Sequence, residues 1–383
     1  MQTTNKLRWP TEDSVSLTSR EFFSVRATTS YCYAKGGTYR FESKIILKDG
    51  SIEIKNQEQK TPDLYITKEI DATLFSQYGA SNKDGEILVS SLPGWFNHRH
   101  DSDYQTHYLK TFYSIQKSEA GYHIALNSAP EERFPHPAVL LGTPTDDAFS
   151  HFIFETFAKL SALSPEVIAT YYFIVSDHIK AYQESLLEAA GISKVRQIKR
   201  STLGKGNVFF KELIIVKWPS HNNIWTAPAT LNFLKDFFSS NFSSTRHLYS
   251  NLNYLDRDDE RRAYRPIENE AELKSEALRK GFDIQTLGAL NFTQKFALFQ
   301  QSEGVIGQYG GGLQMCFLSK HQSKIIVIQS ELFIRTHIDF MASILGFETL
   351  NLIAEASTHE KHSNAPIKVN SRNLLIGLNK FQF

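Results

Sequence analysis

His151 and Glu155 are the pair in this sequence best suited to moving a proton. Within SHFIFETFAKL (Ser150–Leu160) they stand four residues apart, which places them on one face of a helix. An imidazole beside a carboxylate can work as a general base with its orienting partner. The same pair can hold a metal, or lie inert at a helix end. Phe149, Phe152, Phe154 and Phe157 make this helix apolar almost all round, hence buried. A buried His and Glu require partners or a ligand.

A second chemistry, anion binding, is offered by GQYGGGLQ, Gly307–Gln314. The apolar run Gly304-Val305-Ile306 enters this turn and a helix over Leu313–Ser319 is expected to leave it. Strand, glycine turn and helix together point backbone N–H groups and a helix N-terminus at an anion. Glycine is expected there because a side chain blocks close approach and because such turns often require φ > 0. A tight connection without a ligand is the alternative. Upstream, YLDRDDERRAYRPIENE (Tyr254–Glu270) carries Arg257, Arg261, Arg262 and Arg265, which can pair bidentately with a diphosphate. Asp256, Asp258, Asp259 and Glu260 can equally neutralise them on the surface.

Two further groups are weaker. His98, His100, Asp101, Asp103 and His107 have loose metal-ligand spacing, yet fit no zinc or calcium pattern and read as a polar loop. Leu203-Gly204-Lys205-Gly206 is too short for a P-loop and precedes a strand.

The elements that must position these residues follow an α/β rhythm. From the C-terminal half, strands are expected at His247–Leu255, Phe282–Thr286, Gly304–Ile306, Lys324–Ile328 and Phe347–Ile353. Helices are expected at Asn269–Lys280, Phe292–Gln301 and Arg335–Leu345, with Asn269 as an N-cap and Gly281 and Gly346 as stops. Further upstream, strands are expected at Val139–Gly142, Tyr171–Ser176, Val195–Lys199 and Phe209–Trp218, and helices at Phe149–Ala162 and Ile179–Ala190. Strands alternating with helices imply parallel, doubly wound sheets, with ligands at the carboxyl ends of the strands. Residues 1–135, with short runs such as Thr38–Ile45 and Ser51–Ile54 and the Lys48-Asp49-Gly50 turn, read instead as a β-rich N-terminal subdomain. The expected organisation is then 136–240 as a first Rossmann-like domain and 241–360 as a second. SSNFSS (Ser239–Ser244) forms a polar hinge between them, and 361–383 is a C-terminal segment packing back.

Composition bounds the function. At 383 residues the chain exceeds one ordinary core. Its 41% hydrophobic and 13% aromatic content indicates a packed globular protein. A net charge of +1 argues against nucleic-acid binding. One basic cluster, Lys194–Arg200, reads as a solvated face, with contact to an anionic membrane surface or an acidic acceptor the alternative. Cys32 and Cys316 read as reduced thiols, with one disulfide the alternative. No signal peptide and no apolar window of about 18 residues is seen, so a cytoplasmic protein is expected, with peripheral inner-membrane association open.

These groups together resemble glycosyltransferase family 61 over roughly residues 138–355. Arg257 matches the arginine after the first strand, and Arg265, Asn269 and Glu270 match R-x-x-x-N-E. Gln294 and Phe299 lie on the following helix, and Gly307, Gly310, Gly312 and Leu313 match the turn G-x-H-G-A-G-L-x-N. His151 and Glu155 match N-x-x-H-W-x-x-[DE], so four motifs occur in the family's order. Tyr309 replaces the usual histidine, Gly311 an alanine, Met315 an asparagine and Phe152 a tryptophan. The resemblance implies two facing Rossmann-like domains of GT-B type and inverting, metal-independent transfer from a nucleotide-sugar, UDP-linked, to a surface-glycan hydroxyl. The acceptor would be a lipooligosaccharide, O-antigen or capsule, as glycan or glycolipid, with no further cofactor. His151 and Glu155 would be catalytic. Arg257, Arg265, Asn269, Glu270, Gln294, Tyr309, Gly310, Gly311, Gly312 and Leu313 would bind the donor. A non-catalytic glycan- or nucleotide-binding relative is the alternative. A dehydrogenase is disfavoured because no G-x-G-x-x-G follows a first strand.

Overall fold

Apolar runs with no polar interruption become the central parallel strands of two sheets. The computed structural model describes residues 29–34, 36–61, 64–81, 111–112, 115–118, 121–124, 132–204, 206–221, 225–242, 249–257, 265–357 and 365–383. These fall into two units. One contains the described residues up to Gly37 and within Thr61–Thr230; the other contains those within Thr38–Lys60 and Leu231–Phe383.

The N-terminal residues form β1 (Thr29–Ala34), β2 (Gly37–Ile46), β3 (Ile52–Thr61) and β4 (Leu64–Leu74). Expected as a β-rich subdomain of their own, they are instead divided between the two sheets: β1 and β4 join one, β2 and β3 the other. The physical reason is burial. Ile66, Ala72 and Leu74 of β4 and Phe41, Ile45 and Ile46 of β2 are buried, which a free hairpin cannot achieve.

The first unit continues with β5 (Ala138–Leu140), β6 (Tyr172–Val175), β7 (Gln197–Lys199) and β8 (Val208–Val216). The sheet runs β1–β4–β8–β5–β6–β7. Strands β8, β5, β6 and β7 are mutually parallel, and β4 is antiparallel to both its neighbours. Leu140, Ile174, Phe210, Leu213 and Ile215 form its core with Ala72 and Leu74. Because β5 lies between β6 and β8, the direction of winding reverses beside it. Ligands collect at the carboxyl ends of strands where that happens, and the chain leaving β5 leads into His151.

The second unit contains β9 (Leu252–Asp256), β10 (Asp283–Thr286), β11 (Gly304–Gln308), β12 (Lys324–Ser330) and β13 (Glu348–Ala356). Its order is β10–β9–β11–β12–β13–β2–β3, parallel from β10 through β2. Winding reverses between β9 and β11, which end at Arg257 and at the glycine turn. Tyr254, Ile306, Ile326, Ile328 and Leu350 pack there against Leu273 and Ala277 of the Glu270–Arg279 helix and Leu374 and Leu378 of Ser371–Lys380. The architecture is mixed α/β with parallel sheets.

Two local expectations are corrected. Ser239–Phe242 is no hinge but the end of the Pro228–Phe242 helix, because Phe238 and Phe242 pack against Phe292 and Phe296. The second correction is partial: Lys194 and Lys199 keep the exposure expected of a solvated face, while the cluster's arginines bond within the first unit. Lys194 and Lys199 pair with Glu184, Arg196 donates to the carbonyls of Ile168, Tyr171 and Gly191, and buried Arg200 donates to those of Ser76, Gly204 and Gly206. Cys316 is a buried free thiol. Among the described residues no helix is long and apolar enough to cross a membrane.

Candidate functional site

In the first unit the segment expected as one helix from Phe149 to Ala162 changes pitch twice. It is α-helical over Phe149–His151, a π-helix over Phe152–Thr156 and a 3-10 helix over Phe157–Ala162. All five residues of the π segment are buried. Single-turn π segments are rare and concentrate at functional sites. This one carries Glu155, whose Oε1 lies 2.9 Å from His151 Nδ1 and whose Oε2 accepts from Thr145 Oγ1 at 2.9 Å. Glu155 has no exposed side-chain surface, whereas His151 is 29% exposed. Of the pair, the imidazole is the member that can meet a reactant. An ionised Glu155 accepts only, which keeps the proton on Nδ1 and leaves Nε2 as the lone-pair nitrogen.

Behind the pair lies a second buried carboxylate. Asp146 accepts from Thr143 N at 3.0 Å, from Thr143 Oγ1 at 2.7 Å and from Thr156 Oγ1. Lys159 Nζ donates to Leu141 O at 2.7 Å and sits over the Trp218 ring. Burial pushes Asp146 up to about 6, opposed by its threonine hydrogen bonds and the Lys159 charge. Burial also brings Lys159 down to about 8, although Asp146 and Glu155 favour its charge. For His151, burial disfavours the imidazolium. The charge and hydrogen bond of Glu155, with Asp147 and Asp146, outweigh it and hold the pKa above its ordinary value.

In the second unit, strand order brings Arg257 to the glycine turn. Its Nη2 donates to Tyr309 O at 3.0 Å. A Cβ on Gly310 would stand 2.7 Å from that nitrogen, so glycine is there for close approach. The expected positive φ is absent: no residue of Gly310–Gly312 adopts it. The helix expected after the turn is a six-residue 3-10 helix, Leu313–Leu318, buried throughout because its side chains complete the core. The turn therefore offers guanidinium groups, and no α-helix N-terminus, to an anion. Gly310→Ala is expected to displace the end of Arg257 while leaving the unfolding temperature near wild type, which thermal melts read; calorimetry with inorganic pyrophosphate tests whether the turn is an anion site, about tenfold weaker binding in the variant being the result expected of one.

Arg265 adopts a left-handed conformation at φ 60, uncommon for a side chain of its size, and Gln308 Nε2 donates to its carbonyl at 2.8 Å. Its guanidinium lies 6.0 Å from the Tyr309 ring centroid. Tyr309 packs inward, with its hydroxyl 3.2 Å from Nδ1 of buried His337. Burial pushes Tyr309 up to about 12, against Arg335, Gln314 and Arg265. Burial and Arg335 together push His337 down to about 3, so the imidazole that shares a hydrogen bond with the phenol is neutral.

The structure thus brings Arg257, Arg265, Tyr309 and Gly310 together, with Gly311 and Gly312 continuing the turn. Other expected donor residues are occupied elsewhere. Asn269 makes no N-cap hydrogen bond; its amide pairs with both backbone groups of Val369 at 2.8 and 3.1 Å. Gln294 forms a reciprocal capping box with Asn291. Leu313 is buried beneath Gly307. Glu270 lies 3.9 Å from Lys274, which pairs with Asp256 at 2.8 Å. Arg261, Arg262 and the 97–107 cluster lie outside the described residues. Among the described residues no three His, Cys, Asp or Glu side chains converge as metal ligands. Sequence reasoning missed Thr145, Asp146 and Lys159, and also Phe333, Arg335 and His337. The last three follow the carboxyl end of β12, the same positional signal that singled out Arg257.

A search of curated proteins finds no match to this chain. Residues 149–326, a span holding His151, Glu155, Arg257, Arg265 and the glycine turn, match the model of the family described as Glycosyltransferase 61, which supports a glycosyltransferase.

Proposed function

We propose that this protein is an inverting glycosyltransferase of GT-B type that moves a sugar from a UDP-linked donor to a hydroxyl of a surface glycan. The observation that carries the reading is positional. His151 with Glu155, and Arg257 with the Tyr309–Gly310 turn, each follow the carboxyl end of a strand where the order of a parallel sheet reverses. His151 Nε2 takes the proton of the acceptor hydroxyl as that oxygen attacks the anomeric carbon. Arg257 and Arg265 offset the charge left on the departing nucleoside diphosphate. A single displacement inverts the anomeric centre. Guanidinium charge fills the diphosphate-neutralising role, so the reading is metal-independent. The UDP base and the acceptor class (lipooligosaccharide, O-antigen or capsule, as glycan or glycolipid) rest on the family resemblance. Placement in the cytoplasm, at the inner-membrane face, belongs to the same proposal.

A non-catalytic binder is the second reading, favoured by the inward-packed Tyr309 and the buried Met315 at two motif positions. A panel of UDP-sugars separates the two by thermal stabilisation and by release of UDP. A transferase is expected to be stabilised and to release UDP, faster with acceptor glycans. Stabilisation without release supports the binder, and absence of both overturns the proposal.

A further inference from the structure

Arg335 lies just past β12, beyond the residues matched to the family. Its backbone is clamped on both sides by one buried side chain. Gln329 Oε1 accepts from Arg335 N at 2.7 Å, and Gln329 Nε2 donates to Arg335 O at 2.9 Å. Gln329 also donates to Asn351 Oδ1 at 2.6 Å, and Asn351 Nδ2 donates to Asp339 at 3.0 Å. Asp339 in turn accepts from Ser43 at 2.9 Å and from Thr349. The residue is therefore presented from a fixed backbone, tied to the interior of the sheet.

The side chain is less easily explained by folding alone. The Arg335 guanidinium lies 4.4 Å from the Phe333 ring centroid, and that of Arg265 lies 5.6 Å from the same ring. Among the described residues neither arginine has a carboxylate partner, and the Nε of each is buried without a hydrogen bond. Two like charges over one ring repel, and their desolvation adds to the cost. The ring faces offset only part of this. A ligand carrying two adjacent anionic groups would relieve both terms, and planar guanidiniums are suited to it.

We infer that Arg335 is a further anion-binding residue of this unit and that, with Arg265, it takes the two phosphates of a pyrophosphate group. This rests on the donor reading given above. The test is calorimetric titration of the intact protein with inorganic pyrophosphate, with orthophosphate as the single-phosphate arm. Arg335→Gln is expected to weaken pyrophosphate binding about tenfold or more without lowering the unfolding temperature. Arg335→Lys, which keeps charge and stem, is expected to recover only part of it. Arg279→Gln, at an exposed arginine paired with Glu276, controls for net charge and is expected to bind normally. Wild-type affinity in both Arg335 variants, with Arg257→Gln weakened, would overturn the Arg335 assignment and leave the donor reading standing. Equal loss in Arg279→Gln, or orthophosphate bound as tightly as pyrophosphate, would also overturn it. No pyrophosphate binding by the wild type would sink the donor reading as well.

Discussion

His151→Ala is expected to slow sugar transfer by about 10²- to 10⁴-fold, the range a positioned general base contributes. Its unfolding temperature should fall modestly, because the fully buried Glu155 carboxylate loses its imidazole partner, so rates are compared at a temperature where both proteins are folded. Glu155→Gln separates a base from a bystander. Burial opposes the His151 imidazolium, yet the charge and hydrogen bond of Glu155, with Asp147 and Asp146, raise its pKa above the ordinary value. A base must be neutral, so the wild-type rate should climb with pH through that raised value. Removing the Glu155 charge leaves burial less opposed and lowers the pKa. The acid limb of the rate profile should therefore move to lower pH while the plateau falls. UDP release measured across pH reads both effects. An unmoved acid limb in Glu155→Gln, with His151→Ala near the wild-type rate, would remove the pair from the chemistry.

Lys159→Met is expected to lower stability by about 1–3 kcal/mol near neutral pH, because the Leu141 carbonyl loses its donor and Asp146 and Glu155 lose a neighbouring positive charge. The loss should depend on pH with a definite sign. Asp146 has a folded pKa of about 6, above its reference value of 3.8, so stability from its protonated form is present below 3.8 and lost as pH rises through 6. Lys159 has a folded pKa of about 8, below its reference value of 10.5. Stability from its neutral form is present above 10.5 and lost as pH falls through 8. Between those folded values both groups are charged, and each needs the other. The wild type gains stability from neutral Lys159 as pH rises above 8 and the variant cannot, so the deficit of the variant should be smallest near pH 5, where Asp146 is protonated, and larger near pH 9 than at pH 7. Urea unfolding at the three pH values checks this, and a flat deficit would falsify the coupling.

The parts of this molecule legible in its sequence are those set by neighbours along the chain. The run Lys324–Ile328 reads as a strand buried on both faces, and β12 contains it. Asn291 and Gln294 bracket a helix start, and the Phe292–Gln301 helix begins there. The four-residue spacing of His151 and Glu155 forecasts their contact, which is made at 2.9 Å. The π pitch beneath that contact was not legible, because it depends on what the buried phenylalanines pack against. The fate of Thr38–Ile45 was only half legible: β2 neighbours β3 beyond the Lys48-Asp49-Gly50 turn as the local pattern forecasts, but nothing in that pattern says that β2 also pairs with β13.

The candidate site divides along the same line. Residue types, their motif order and their places after strands are written in the chain, and they name His151, Glu155, Arg257, Arg265 and the glycine turn. Which strand ends lie side by side is not written there. Arg257 reaches Tyr309, 52 residues away, only because β9 and β11 are neighbours in the sheet. Arg335 shares Phe333 with Arg265 only because the chain beyond β12 folds back to that same end. Periodicity is a property of successive residues, whereas sheet order is settled by competition among all strands to bury their faces, and that competition assembles the charges.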